Sequence, residues 1–215
     1  MEKIILIGAG GHAKTIADTI EKQNLFDIAG FIDLGEKREK FYRTYRIIGN
    51  DEDLETLYES GVHYAFVCIG FMGNSAVRER IYEKLIQIGF HLPVIIDETA
   101  VVAEDVRLEA GTYVGRNAVL NTEVAVGKMC IINTAAIVEH ESVVGDFSHI
   151  AVGAALCGQT EIGERVLIGA NVTVIQNIKV GKDSIVGAGS VVLEDIPPHC
   201  TVVGCPAKII KSKRN

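Results

Sequence analysis

The sequence predicts two architectures in series: an alternating α/β unit over residues 1–97 and a coil of six-residue repeats over residues 98–215. Three observations lead there. Up to residue 96, short apolar runs alternate with segments of helical periodicity; from Val101 to Ile196 the apolar period becomes six; and a glycine cluster, GAGGHA at 8–13, follows the first apolar run.

The elements follow in order. KIILIGAG opens with a continuous apolar strand, and a helix is expected from His12 to about Lys22. IAGFID is the second strand. GEKREKFYRTYR, residues 35–46, is charged and without periodicity and reads as a loop. A helix is expected from Asp51 to Ser60, HYAFVCIG is a strand, Asn74 or Ser75 caps a helix running to about Ile88, and PVIID closes the segment. Strands alternating with helices give a small parallel sheet covered on both faces.

Cut into sixes, residues 101–196 give sixteen blocks, among them VLNTEV, AVGKMC, IINTAA and IVEHES, and the second place is Val, Leu or Ile in all sixteen. Chance does not fill one register sixteen times running. Six fits neither the 3.6-residue helix nor a plain alternating strand, but it suits a coil of short straight segments and turns with one aliphatic residue inside each. Gly, Ala, Ser and Thr are frequent at places three and six, where they let the chain turn and successive coils approach.

Composition narrows the function. The formal charge of -7, from 28 acidic and 21 basic residues, disfavours a nucleic-acid binder. No apolar run reaches the roughly 18 residues that span a membrane, and no signal peptide precedes the first strand, so a cytoplasmic protein is expected. Five cysteines without a CxxC pair suggest neither a disulfide framework nor a zinc site. Lys208, Lys211, Lys213 and Arg214 read as a solvated tail.

Gly8, Gly10 and Ala13 match G-x-G-x-x-A, and Asp33 ends the next strand where a ribose-binding acid would stand. Glycines at 8, 10 and 11 let backbone N–H groups at a helix N-terminus approach a diphosphate, and His12 stands beside them. A dinucleotide oxidoreductase is disfavoured: the region is long enough for one mononucleotide half, and no second half or dehydrogenase substrate domain follows. A nucleotide joined to something other than nicotinamide fits better. A comparable loop is expected at IGFMGNSAVR, with Gly70 at the strand end and Asn74 at the helix start.

The hexapeptide pattern resembles the hexapeptide-repeat acyltransferases, which implies a left-handed parallel β-helix with three blocks per coil. A half-Rossmann unit carrying GAGGHA ahead of that helix is similar to one branch of the family, the UDP-4-amino-sugar and GDP-perosamine N-acetyltransferases together with the sialic acid O-acetyltransferases. The implied chemistry is acetyl transfer from acetyl-CoA to a nucleotide-linked amino sugar in surface glycan or glycoprotein synthesis, with no metal. The branch motif is matched by Asn133, His140, Glu141 and His149. The resemblance implies His140 as general base, Glu141 as its support, His149 beside the acetyl-CoA thioester and Asn133 shaping the pocket. It also implies a pantetheine path near Gly158, Ala170 and Ala188, and a terminal segment in VVGCPAKII, residues 202–210.

Histidine suits the implied step because the acceptor amine arrives as ammonium and a base near neutral pH must remove a proton. His140 and His149 are nine residues apart, half of an 18-residue coil whose perimeter is about 60 Å at the rise of an extended chain. They therefore fall on different faces of one chain. If both serve one transfer they come from neighbouring subunits, which predicts a symmetric homo-oligomer, a trimer as in the family, with sites between subunits. Sialic acid O-acetylation is the alternative reaction. A non-catalytic nucleotide-sugar binder is the alternative of another class, and a zinc carbonic anhydrase would need three convergent histidines where only His140 and His149 lie within the repeats.

Overall fold

The computed structural model describes residues 1–33 and 41–212, and the chain divides into two units: Met1–Gly70 with Ala76–Ile95, and Phe71–Ser75 with Ile96–Asn215. Half of the charged loop expected at 35–46, residues 35–40, and the tail residues Lys213 and Arg214 lie outside the described residues.

In the first unit β1 (Lys3–Ile7), β2 (Asp27–Ile32), β3 (Ile47–Gly49) and β4 (Tyr64–Val67) form a parallel sheet in the order β3-β2-β1-β4. Its central strand is the apolar run IILI, buried along its whole length because helices cover both faces of such a sheet. Helix α1 (Gly11–Gln23) buries Ala13, Ile16, Ala17 and Ile20 and ends at Asn24 in the left-handed region, φ 50°. α3 (Ala76–Ile88) buries Arg78, Ile81 and Leu85, one stripe at helical spacing. The helix expected from Asp51 is instead a 3-10 turn, Asp51–Asp53, followed by α2 (Leu54–Glu59). Asn50 accepts from the Glu52 amide and Asp53 accepts from the Asn50 amide, a capping box that tightens the first turn. The described end of the charged segment is anchored, since Arg43 pairs with Asp18 and Glu21 on α1.

Beyond β5 (Ile95–Ile96), sixteen two-residue strands, β6 (Val101–Val102) to β21 (Val191–Val192), each occupy places one and two of one block. From β6 to β18 each strand pairs in parallel with the one 18 residues on, as Ile137 of β12 (Ile137–Val138) does with Val119 and Ala155, so three blocks make one coil of a left-handed parallel β-helix. The place-two side chains stack into a single core from Val114 to Val192, with Val102 and Leu108 half-buried at its open end.

The turn lies at place five. From Gly111 to Gly189, in fourteen consecutive blocks, that residue has φ between 53° and 70°, including Glu123, Met129, Phe147 and Arg165. An L-residue there carries about 1 kcal/mol of strain. From Met129 on it is held because its amide bonds a carbonyl of the preceding coil, as Met129 does with Ala110 and Phe147 with Lys128. Glycines at place three serve the close approach: a Cβ on Gly163 would stand 2.7 Å from the Lys182 nitrogen. The C-terminal lysines do not begin a solvated tail, because β23 (Lys208–Ser212) pairs antiparallel with β22 (Cys200–Val203), and β22 continues the ladder on β20 (Ile185–Val186).

Candidate active site

His140 and Glu141 occupy places four and five of the block that begins with β12. Two ladder bonds fix the corner, since the Glu141 amide donates to the Thr122 carbonyl at 3.0 Å and the Gln159 amide donates to the His140 carbonyl at 2.9 Å. Glu141 sits at φ 57°, which turns its side chain alongside the imidazole. His140 Nδ1 lies 3.1 Å from Glu141 Oε2, and the ring is 52% exposed. The other neighbour, Glu139, is taken up by Asn121, whose Nδ2 donates to it at 2.9 Å. Hydrogen bonds from His140 and then from Gln159 hold the Glu141 carboxyl below the usual carboxylate range. An ionised carboxylate only accepts, so Nδ1 carries a proton, and it is Nε2 that gains or loses one when the ring acts as acid or base.

The ring rests on Gly158, one coil on. A Cβ at Gly158 would lie 2.5 Å from both Cε1 and Nε2 of His140, so only glycine admits the imidazole in this place.

His149 is on another face, at the first residue of β14 (His149–Ile150), and is buried. Its Nδ1 is 3.0 Å from the Phe71 carbonyl and its Nε2 is 3.1 Å from Asn133 Nδ2. Because a carbonyl accepts and an amide NH₂ donates, the ring is neutral with its proton on Nδ1. Asn133 and His149 are thus brought together, and His140 and Glu141 likewise, while the two pairs stand on separate faces of the coil.

Gly158, Ala170 and Ala188 do not form one track within the chain. Gly158 is stacked beyond His140, at the corner leaving the face of β12. Ala170 and Ala188 are stacked at the corner entering that face, with the Gly189 amide bonding the Ala170 carbonyl at 2.8 Å.

In the first unit, Gly8, Gly10, Gly11, His12, Asp33 and Gly70 line a cleft of about 390 Å³. The Ala9 amide donates to Asp33 Oδ2 at 2.6 Å, so the acid predicted to face a ribose braces the glycine loop with one oxygen. Among the described residues no side chain caps α1 and a Cβ at Gly10 or Gly11 would meet nothing within 4 Å, an arrangement suited to an anion at the helix N-terminus. Asn74 is not in this cleft; it lines one of about 540 Å³ in the second unit with Arg165, Asp183, His199 and Lys211. Arg78 is buried and clamps the Ile69 carbonyl at 2.6 Å.

Sequence reading passed over Gln159, Arg165 and Asp183. A signal was available, because polar partners recur one coil apart: Asn121 with Glu139, Glu141 with Gln159, Arg165 with Asp183, and Glu161 with Lys179. Among the described residues, no group of three or more His, Cys, Asp or Glu is arranged to hold a metal ion, and no helix is long and apolar enough to cross a membrane.

The family model "PglD N-terminal domain" matches residues 3–85, and "bacterial transferase hexapeptide (six repeats)" matches residues 159–194. No curated protein matches the sequence. Among solved structures, a histidine-to-alanine variant of GDP-perosamine N-acetyltransferase from Caulobacter crescentus, in complex with CoA and GDP-perosamine, is 33% identical with a TM-score of 0.92, over 98% of each chain. The acetyltransferase domain of PglB from Neisseria gonorrhoeae, in complex with acetyl coenzyme A, is 33% identical with a TM-score of 0.90, over 97% of this chain and 99% of that one. WeeI from Acinetobacter baumannii, at 21% identity and a TM-score of 0.64, shares the fold.

Proposed function

This chain belongs to the hexapeptide-repeat sugar acyltransferases with a PglD-type N-terminal domain, and from that premise we propose that it moves the acetyl group of acetyl-CoA to the amine of a UDP- or GDP-linked 4-amino-dideoxy sugar. The carrying observation is the His140–Glu141 pair, at 3.1 Å, with Nε2 directed away from the carboxylate. The relatives solved with CoA and GDP-perosamine, and with acetyl coenzyme A, support the same chemistry.

In this reading His140 Nε2 takes a proton from the sugar ammonium. The freed amine attacks the thioester carbonyl carbon to form a tetrahedral adduct; its C–S bond then breaks, the nitrogen gives up its second proton as the amide forms, and the departing sulfur takes up one proton and leaves as CoA thiol. Glu141 holds the imidazole tautomer and stabilises the imidazolium that forms. His149 and Asn133 stand beside the thioester, and Gly158, Ala170 and Ala188 flank the pantetheine arm. The diphosphate binds at Gly8, Gly10, Gly11 and His12, with Asp33 and Gly70 facing the nucleoside.

The working unit is a cytoplasmic homotrimer that serves surface polysaccharide or glycoprotein synthesis. The separation of His140 from His149 on different faces supports a site made by two chains. So does the outward face of β12 and its neighbours, where Val101 is 63% and Ile137 is 38% exposed. Free CoA release from acetyl-CoA tests the reaction, with UDP- and GDP-4-amino-4,6-dideoxy sugars as acceptors and sialic acid as contrast. Turnover is expected with a sugar amine. Turnover with sialic acid alone would assign O-acetylation, and none with any acceptor, in a protein that still binds a nucleotide sugar, would leave a non-catalytic binder.

The sign of one pH effect follows from Glu141. Its carboxyl is held below the usual range, so it stays ionised down through mildly acid pH and its charge favours the imidazolium. Glu141→Gln removes that charge. The acid limb of kcat/KM is expected to move to lower pH while the plateau kcat falls about 10-fold, less than a base is worth. An acid limb that stays in place would show that Glu141 does not act on the base.

A further inference from the structure

We infer that Gln159 is a positioning residue for this reaction, holding Glu141 from the next coil and, through Glu141, the His140 imidazole; the inference rests on His140 being the base.

The ring is gripped from one dipeptide, Gly158-Gln159. The Gln159 amide donates to the His140 carbonyl at 2.9 Å, and the Gln159 side-chain Nε2 donates to Glu141 Oε2 at 3.1 Å. That oxygen is the one His140 Nδ1 meets at 3.1 Å. Gly158 supplies the surface under the ring, where any Cβ would stand 2.5 Å from Cε1 and Nε2. Glu141 and Gln159 are 18 residues apart, at the same place of successive coils, with φ of 57° and 59°. Their side chains therefore leave the corner in parallel and meet.

Without Gln159, Glu141 would have one partner, a ring that must itself stay aimed at the substrate amine. An exposed glutamate with three free torsions does not hold a 52% exposed imidazole in place unaided. Gln159 fixes the carboxylate through the same oxygen, Oε2, as a second donor from the next coil. Among charged groups nearby, Glu139 is engaged with Asn121 and receives only a 3.4 Å contact from the His140 amide, so Glu141 is the carboxylate that faces the ring nitrogen.

Gln159 also takes up part of the charge on Oε2, which tempers how strongly Glu141 favours the imidazolium. Its removal has a sign opposite to that of Glu141→Gln: the undivided negative charge falls on His140, and the base holds its proton to higher pH.

The test compares Gln159→Ala, Gln159→Met and Gln159→Glu with wild type and His140→Ala in the CoA-release assay across pH. Gln159→Ala and Gln159→Met are expected to lower kcat about 3- to 10-fold, the worth of one hydrogen bond. Both should raise the acid limb by roughly half a pH unit, with KM for acetyl-CoA little changed. Gln159→Glu keeps the shape and replaces the donor with a second carboxylate, so it should be slower than alanine and move the limb further. Methionine restoring wild-type rates would make Gln159 a packing residue and overturn the inference, as would an unmoved acid limb in all three variants. Activity surviving in His140→Ala would defeat the underlying reading instead, whereas an inactive His140→Ala beside wild-type Gln159 variants would defeat this inference alone.

Discussion

His140→Ala is expected to lower CoA release about 100- to 10,000-fold at saturating substrate, the range that a lost general base commonly spans. The size follows from the substrate. An ammonium group has no lone pair to attack with, and bulk water replaces a base held against the acceptor only poorly. The fold should not register the change, because the ring is half exposed and rests on Gly158, whose backbone is held independently by the ladder. Raising the pH should recover part of the rate, since more of the amine is then neutral in solution. Equal thermal unfolding of variant and wild type, with a collapsed kcat, is the expected pattern. Turnover within threefold of wild type would remove His140 from the mechanism.

Ile168→Ala is the complementary experiment, with a large expected effect on stability. Ile168 is fully buried at place two of its block, stacked on Ile150 one coil before and Val186 one coil after. Truncation removes apolar burial and leaves a cavity between two coils that their own ladder bonds keep at fixed spacing, so little collapse is available. A loss of about 2–5 kcal/mol is expected by denaturant unfolding. Ile86→Ala, on an exposed side chain of α3, should cost a small fraction of that. A loss below 1 kcal/mol for Ile168→Ala would mean that the place-two stack is not what secures the coil.

These experiments divide along what the residues themselves reveal. The core was legible because burial acts on one chemical property at one place of the repeat: an aliphatic residue in sixteen of sixteen blocks has no other reading. The place-five turn was not legible, because Glu, Met, Phe and Arg are poor left-handed residues when considered alone. They are held there by an amide bond to the coil before, which a local propensity does not contain. The site divides in the same way. His140 and Glu141 are adjacent in sequence and carry a recognisable pattern, whereas the bond from His149 to the Phe71 carbonyl joins residues 78 apart, a contact that no periodicity marks. Asp33 shows a third case: its position at the strand end was readable, but its service to the Ala9 amide was not, since one carboxylate can face either a ligand or its own loop.

The 18-residue pairing sets rules for changing the length of this chain. Removing one whole coil beyond Gln159 would slide everything downstream along the axis and leave each side chain pointing the way it did. Removing six residues would instead swing the downstream chain by a third of a revolution, carrying Ala170 and Ala188 to a corner where neither now stands. Length in this molecule therefore acts as an angle, and homologous chains with different numbers of blocks can keep one catalytic geometry only if, between the residues that must face each other, they differ by multiples of three.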